Sequence, residues 1–224
     1  ADIPLPPSQD PLALAVTAAV NAGVTVVVAA GNTGPATGTI TSPGTAPAAI
    51  TVAATTNSRV LAHPLAVTGP VPVPPALQFI AAAISNGPAI NTDVGSLQLT
   101  DIIRIDNSAG ACASLPSSSL SGQMAFIRRG GCPFSTKILN AYLAGAATVV
   151  IYNNQYQQPP ISMDVGTSTQ IPSVMIGNTD GLALSSYLAT AGTGAQGKIA
   201  AQQQAIATTP NRVASYSSAG PSSD

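Results

Sequence analysis

The chain has 224 residues, 45% of them hydrophobic and only 7% charged, with seven basic residues against eight acidic ones, all aspartate. Globular chains usually carry about 25% charged residues, so this surface is built from Ser, Thr, Asn, Gln and Gly. A net charge of −1 and a single adjacent basic pair, Arg128-Arg129, exclude a row of phosphate contacts and so nucleic-acid binding. The apolar content excludes a disordered chain.

Residues 1–9 read as an extended, proline-rich lead-in. Asp10-Pro11 supplies an N-cap followed by proline at the first helical position. Leu12, Ala15, Val16, Ala19 and Val20 then recur at helical spacing, which predicts one buried face, and Gly23 is placed to stop the helix. Val24 to Ala30 is a β-branched run of the kind found in a strand covered on both faces. The stretch Leu12 to Gly31 imitates a membrane span, but Asn21-Ala22-Gly23 divides it and neither half reaches ~20 residues. Ala49 to Ala54 is a second short apolar segment. Beyond Arg59 the prolines at 64, 70, 72, 74 and 75 predict a linker and a domain boundary, with His63 an exposed loop histidine.

Strand-like runs follow at Leu77–Ile84, Ile102–Ile105, Met124–Arg128, Thr148–Tyr152 and Ser173–Ile176. Phe134 to Ala144 reads as a helix with Ile138, Leu139, Tyr142 and Leu143 inward and Gly145 as its stop. Asn178 is placed to cap another helix that buries Leu182, Leu184 and Leu188. Residues 189–209 read as a last strand and a return linker. The spacing of Asp101 and Asp106 puts them on opposite faces of a strand at a solvated edge, and Asp93, Asp101 and Asp164 lack a calcium-loop pattern. Arg128 and Arg129 alternate across their strand. No metal site and no cofactor is expected. Cys112 and Cys132 permit one bridge, whose loop of about twenty residues would contribute roughly 3 kcal/mol; the alternative is two buried thiols. A bridge together with low charge points to an extracellular protein, with any signal peptide upstream of Ala1.

Three stretches carry a family resemblance. Val26-Val27-Val28-Ala29-Ala30-Gly31-Asn32-Thr33-Gly34-Pro35, followed by Ser42-Pro43-Gly44-Thr45-Ala46-Pro47, resembles the segment of subtilisin-like serine proteases (peptidase family S8) that holds the oxyanion-hole asparagine. The resemblance implies that Asn32 is that asparagine, a fixed N–H donor for the charge on a tetrahedral acyl intermediate. Without the flanking residues, Gly31-Asn32 would read as a turn using left-handed backbone. The resemblance further implies that Ala29, Ala30 and Gly31 line the pocket for the side chain before the scissile bond, with Ser42-Pro43 near its base and a cis bond between them. Gly122 to Lys137, with Arg128-Arg129-Gly130-Gly131-Cys132-Pro133-Phe134 at its centre, continues through Ala144-Gly145-Ala146 and Val149 to Asn154. With Ile171-Pro172-Ser173 and Asp180-Gly181 downstream, it is similar to a protease-associated (PA) domain, a module without catalytic residues that acts in substrate access or protein contact. Asn211-Arg212-Val213-Ala214-Ser215-Tyr216-Ser217-Ser218-Ala219-Gly220-Pro221 resembles the subtilase segment that normally follows directly after the one ending near Arg59.

The expected fold class is therefore α/β: a partial subtilisin-like parallel α/β segment (1–59, resuming at 211–224) and an inserted, β-rich α+β PA domain (60–210). The residues that would complete a Ser-His-Asp triad are not recognisable. His63 lacks the His-Gly-Thr-His pattern, and Gly166-Thr167-Ser168 lies inside the insertion, where a loop is expected. Because nucleophilic attack needs serine, base and orienter together, this chain alone is expected to be inactive. It reads as an internal part of a secreted endopeptidase, with protein or peptide substrates and the remainder of the catalytic domain as partners, and with association of copies through the incomplete sheet. The alternative is a noncatalytic protein-interaction module of a secreted or cell-surface protein.

Overall fold

The computed structural model describes residues 5–166, 169–207, 210–214 and 216–221. The chain forms two compact units, Val60–Ile206 and a discontinuous one made of Ala1–Arg59 with Ala207–Asp224. No described helix is long and apolar enough to cross a membrane.

The discontinuous unit opens with α1 (Pro11–Asn21). The Asp10 carboxylate accepts from the Leu12 amide at 2.9 Å, and Pro11 occupies the first turn. The expected inward face is not the buried one: Ala13 is buried, Val16, Ala19 and Val20 are half-buried, and Leu12 and Ala15 are exposed. Strand β1 is only Val27–Ala29, parallel to β2 (Ile50–Val52). The run from Val24 is thus not covered on both faces; Val27 is 60% exposed and Ile50 55%. A two-stranded sheet has too little surface to enclose a helix on one side and solvent-free strands on the other, which accounts for both corrections. The C-terminal segment closes this unit through a Thr55–Val213 bridge and amide bonds from Thr56 to Arg212 O and from Ala214 to Ala54 O.

The second unit is built on strands β3 (Arg59–Gly69), β4 (Ile80–Ile84) and β5 (Val94–Asp101), the helical turn α2 (Ile103–Asp106), β6 (Met124–Arg128), α3 (Phe134–Leu143), β7 (Thr148–Tyr152), β8 (Ser173–Ile176), α4 (Asn178–Ala191), β9 (Gln196–Ile199) and β10 (Gln204–Ala207). The sheet order is β10-β3-β4-β8-β7-β6-β5-β9, and β9 also pairs with β3, so seven strands close into a barrel with β10 flanking β3. Strands β5, β6, β7 and β8 run parallel; β3, β4 and β9 pair antiparallel. This mixed, β-rich α/β architecture is the expected class.

The core divides by strand alternation. Met124, Phe126, Val150, Tyr152, Val174 and Ile176 face one cluster with Leu65, Leu99 and, from α4, Leu184 and Leu188. Ala125, Ile127, Val149, Ile151 and Met175 face the other, under Ile138, Ala141 and Ala144. Phe126 stacks on Tyr152 with centroids 4.8 Å apart.

Several expectations need correction. The prolines do not make a linker from residue 60, because Pro64 lies inside β3, where its missing N–H is not needed and its carbonyl accepts from Ala200 N at 2.9 Å. His63 is accordingly buried, its Nδ1 2.8 Å from Ala200 O and its Nε2 3.3 Å from the Gln203 side-chain nitrogen. Ile102–Ile105 is not a strand but leads into the helical turn Ile103–Asp106: the Asp101 carboxylate accepts from the Ile103 amide at 3.1 Å and turns the chain out of β5. Asp101 is buried, not at a solvated edge; burial pushes its carboxyl above the usual range. In α3, Lys137, Ile138 and Ala141 are inward while Leu139, Tyr142 and Leu143 are exposed. In α4, Leu182 is exposed, and the Asn178 side-chain Nδ2 donates to Asn153 O at 2.9 Å instead of the side chain capping the helix. Of Gly166-Thr167-Ser168, Thr167 and Ser168 lie outside the described residues.

Two outcomes follow from this packing. The barrel should resist protease longer than residues 1–58 and 212–224, whose strands carry open edges; mass spectrometry of a limited digest checks this, and first cuts within Met124–Tyr152 contradict it. A Cβ on Gly181 would run into the Tyr152 side chain, so Gly181→Ala is expected to cost about 1–3 kcal/mol in urea unfolding.

Candidate functional site

Two regions gather the residues singled out from the sequence. In the discontinuous unit the chain leaves β1 through Ala30, buried, whose amide donates to Val52 O at 2.9 Å and whose carbonyl accepts from Thr41 N at 3.2 Å. Gly31 follows with φ of +112°, and a Cβ there would lie 2.7 Å from both Ser218 Oγ and Thr41 Oγ1. A Cβ on Gly34 would run into the Ser217 carbonyl. Glycine at both positions lets the 216–218 segment lie against the turn, where Ser218 N donates to Gly31 O at 3.0 Å, Gly34 N to Tyr216 O at 3.0 Å and Thr33 N to Ser218 Oγ at 3.2 Å. Asn32, between these anchors, is exposed.

The Ser42–Pro43 bond is cis. Gly44 N donates to Thr41 O at 2.8 Å, and a Cβ on Gly44 would sit 2.9 Å from Ala29 O. Ala29, Ala30 and Gly31 therefore share one corner with the 41–44 turn, which holds exposed Ser42 and half-buried Pro43.

The second region lies at the carboxyl ends of β6 and β7, where parallel α/β sheets place ligands. Beyond β6 the backbone passes through Gly130 and Gly131, at φ of +101° and +83°, into the Cys112–Cys132 disulfide and the start of α3. The bridge expected from the cysteine count is thus formed. A cavity of about 430 Å³ opens here between Arg128, Arg129, Cys112 and Asn154. Arg128 is exposed. Arg129 donates to Asn153 Oδ1 at 2.9 Å and lies 5.9 Å over the Phe134 ring. The buried Asn154 Oδ1 accepts no hydrogen bond among the described residues.

The rim is held from below by two groups whose part was not legible in the sequence. Lys137 is fully buried; its Nζ donates to Gly110 O at 2.6 Å and to Cys112 Sγ at 3.5 Å. Burial pushes its pKa down, and the Asp106 charge partly offsets this. Asp106 gathers the 108–111 loop, accepting from Ser108 N at 2.8 Å, Ser108 Oγ at 2.7 Å, Ala109 N at 2.9 Å and Ala111 N at 2.9 Å. The Asp106-Asn107-Ser108 triplet was the available signal, since aspartate in such a turn bonds amides two and more residues on. Among the described residues no group of three His, Cys, Asp or Glu side chains can hold a metal ion.

Burial raises the Asp106 pKa, but the hydroxyl and three amides outweigh it and hold the carboxyl below its ordinary value. A carboxylate depressed in the folded state contributes stability above its unfolded pKa and loses it as pH falls through the lower folded value. Urea unfolding is therefore expected to show stability falling with acidification through and below the carboxylate range. In Asp106→Asn that acid dependence should flatten, and the loss of acceptors should cost about 1–3 kcal/mol at neutral pH.

The second region falls within a match to a known family. The family profile described as PA domain matches residues 93–184. The E3 ubiquitin-protein ligase Godzilla of Drosophila melanogaster is 38% identical over 68 residues, 30% of this chain and 13% of that protein. The C5a peptidase of Streptococcus pyogenes serotype M1 is 43% identical over 63 residues, 28% of this chain and 5% of that protein. The chain therefore spans only a small part of the relatives it matches. Among solved structures, the zinc aminopeptidase BSAP from Bacillus subtilis superposes with a TM-score of 0.45 and 22% identity over 69% of this chain and 34% of that one. The subtilisin-like protease Apa1 from the Antarctic psychrotroph Pseudoalteromonas sp. AS-11 gives 0.48 and 16% over 86% and 50%. With the profile match running from the start of β5 into α4, across the disulfide and the parallel strands, the chain contains a PA domain.

Proposed function

We propose that this chain is an internal part of a secreted subtilisin-like serine endopeptidase whose triad lies outside residues 1–224, and that its PA domain governs substrate access or protein contact. PA domains mediate substrate or protein interaction in proteases. The observation that carries the reading is the discontinuous unit. Residues 54–56 and 211–214 are hydrogen-bonded as neighbours across the Thr55–Val213 bridge, as expected of a catalytic domain interrupted at one surface loop. Exposed Asn32, between glycines that tie its turn to residues 216–218, is then the oxyanion donor. Ala29, Ala30, Gly31, Ser42 and Pro43 line the neighbouring substrate pocket, and the disulfide suits an extracellular setting.

The competing reading, a noncatalytic interaction module, is favoured by the similarity to a ubiquitin ligase. The two readings differ in the activity of the gene product and agree on that of the 224-residue chain alone. The 224-residue chain is expected to hydrolyse neither casein nor peptide amides; turnover blocked by a serine-directed phosphonate would contradict that. In the gene product that includes the flanking sequence, Asn32→Ala should lower kcat about 10²–10³-fold with little change in KM, the size of effect measured for an oxyanion-hole asparagine in a subtilisin. Flanking sequence without Asp, His and Ser motifs would favour the interaction module, whereas an Asn32→Ala enzyme of undiminished kcat would remove Asn32 from the oxyanion role.

A further inference from the structure

The Cys112–Cys132 disulfide lies among cationic side chains. Its two halves differ: Cys112 is exposed and lines the cavity beyond β6, while Cys132 is half-buried and does not line it. Gly110 and Gly131 pass close to the Cys112 sulfur without a side chain to cover it. A Cβ on Gly131 would stand 3.2 Å from Cys112 Sγ, and one on Gly110 3.6 Å. Beneath the sulfur, the buried Lys137 ammonium points at it from 3.5 Å. Above it, Arg128 and Arg129 line the cavity, and no carboxylate does so among the described residues. The nearby Asp106 carboxylate is engaged by the four donors of the 108–111 loop.

We propose that Cys112 is a thiol–disulfide exchange site for small anionic thiols and disulfides, with Cys132 as its resolving partner. Neighbouring cations favour thiolate over thiol, so in the reduced pair the charge resides on Cys112. That thiolate attacks one sulfur of an external disulfide: the Cys112–sulfur bond forms, the external S–S bond breaks, and one thiolate leaves with the electron pair and takes a proton from water. Cys132 then loses its proton to solvent and attacks the Cys112 sulfur. The internal disulfide forms and the second external thiolate departs, so that two protein thiols are oxidised and one external disulfide is reduced. In reverse, an anionic thiol entering the cavity attacks Cys112, the sulfur that lines it. Exchange passes a single negative charge along three sulfurs; Lys137 lies 3.5 Å from the Cys112 sulfur, and the two arginines line the cavity that this cysteine also lines. The site stands independently of the protease reading, since every group involved belongs to the barrel unit.

The test uses the whole chain and glutathione disulfide as the anionic probe, with hydroxyethyl disulfide as the neutral one and cystamine as the cationic one. Reduced wild type is mixed with each probe, quenched in acid and mapped by mass spectrometry. The mixed disulfide is expected on Cys112, and the rates should fall in the order anionic, neutral, cationic. Arg128→Gln should remove most of the preference for glutathione disulfide while leaving the neutral rate in place. Lys137→Met, checked for folding by circular dichroism, should slow all three probes by about tenfold through loss of thiolate. A mixed disulfide on Cys132, equal rates for the three probes, or no reaction with glutathione disulfide would each overturn the proposal. The wild-type mapping decides it even where a variant fails to fold.

Discussion

Three parallel strands without a polar face set the terms for the rest of the barrel. All residues of β7 and β8, and all of β6 but Arg128, are buried, so apolar cover is required on both sides of the sheet. On one side it comes from α3 through Ile138, Ala141 and Ala144. On the other it comes from the barrel interior and α4. Because α3 joins two parallel neighbours, it has to cross over the sheet, and the loop from β6 into α3 must turn sharply at the carboxyl edge. That turn contains Arg129, the two positive-φ glycines and half of the disulfide.

The same turn explains why the polar groups beneath the rim are buried. Bringing residues 108–112 against 129–132 leaves carbonyls and amides inside that neither strand nor helix can pair. Asp106 takes the amides of Ala109 and Ala111, while Lys137 and Asn140 take the carbonyls of Gly110 and Ala111. An unpaired buried group costs about 1–3 kcal/mol, so a buried lysine is tolerable here as a donor to a carbonyl. Its position against Cys112 follows from that structural duty and gives the sulfur its electrostatic setting.

Sequence patterning revealed β6, β7 and β8 almost residue for residue, because continuous apolar runs bounded by turns permit few other readings. It revealed α1 through the Asp10-Pro11 cap and α3 through Gly145, whose φ of +95° ends the helix. The inward faces were less legible. Leu139, Tyr142 and Leu143 are more apolar than Lys137, yet Lys137 is inside, since the carbonyl that satisfies it belongs to Gly110, 27 residues earlier. Glycine-poor, proline-rich sequence signals a break and predicts a linker at His63 and Pro64; a strand that needs the Pro64 carbonyl and no amide overrides that signal. The Asn32 turn was legible only through the residues around it, and the close approach of residues 217–218 that demands Gly31 and Gly34 spans more than 180 positions.

Chain economy also accounts for how a module of about 150 residues can interrupt a smaller unit. Closing a flexible loop costs free energy that grows only as the logarithm of its length, but even this cost shrinks when the loop folds with its ends together. Here β3, the first strand of the barrel unit, and β10, its last, are direct neighbours in the sheet. The other unit receives the chain at an equally close pair, Thr56 and Arg212, joined by the Thr56 amide and the Arg212 carbonyl at 2.8 Å. The barrel can form its own core without pulling the interrupted segments apart, and the turn that bears Asn32 can keep its contacts with residues 216–218 across the whole length of the intervening chain.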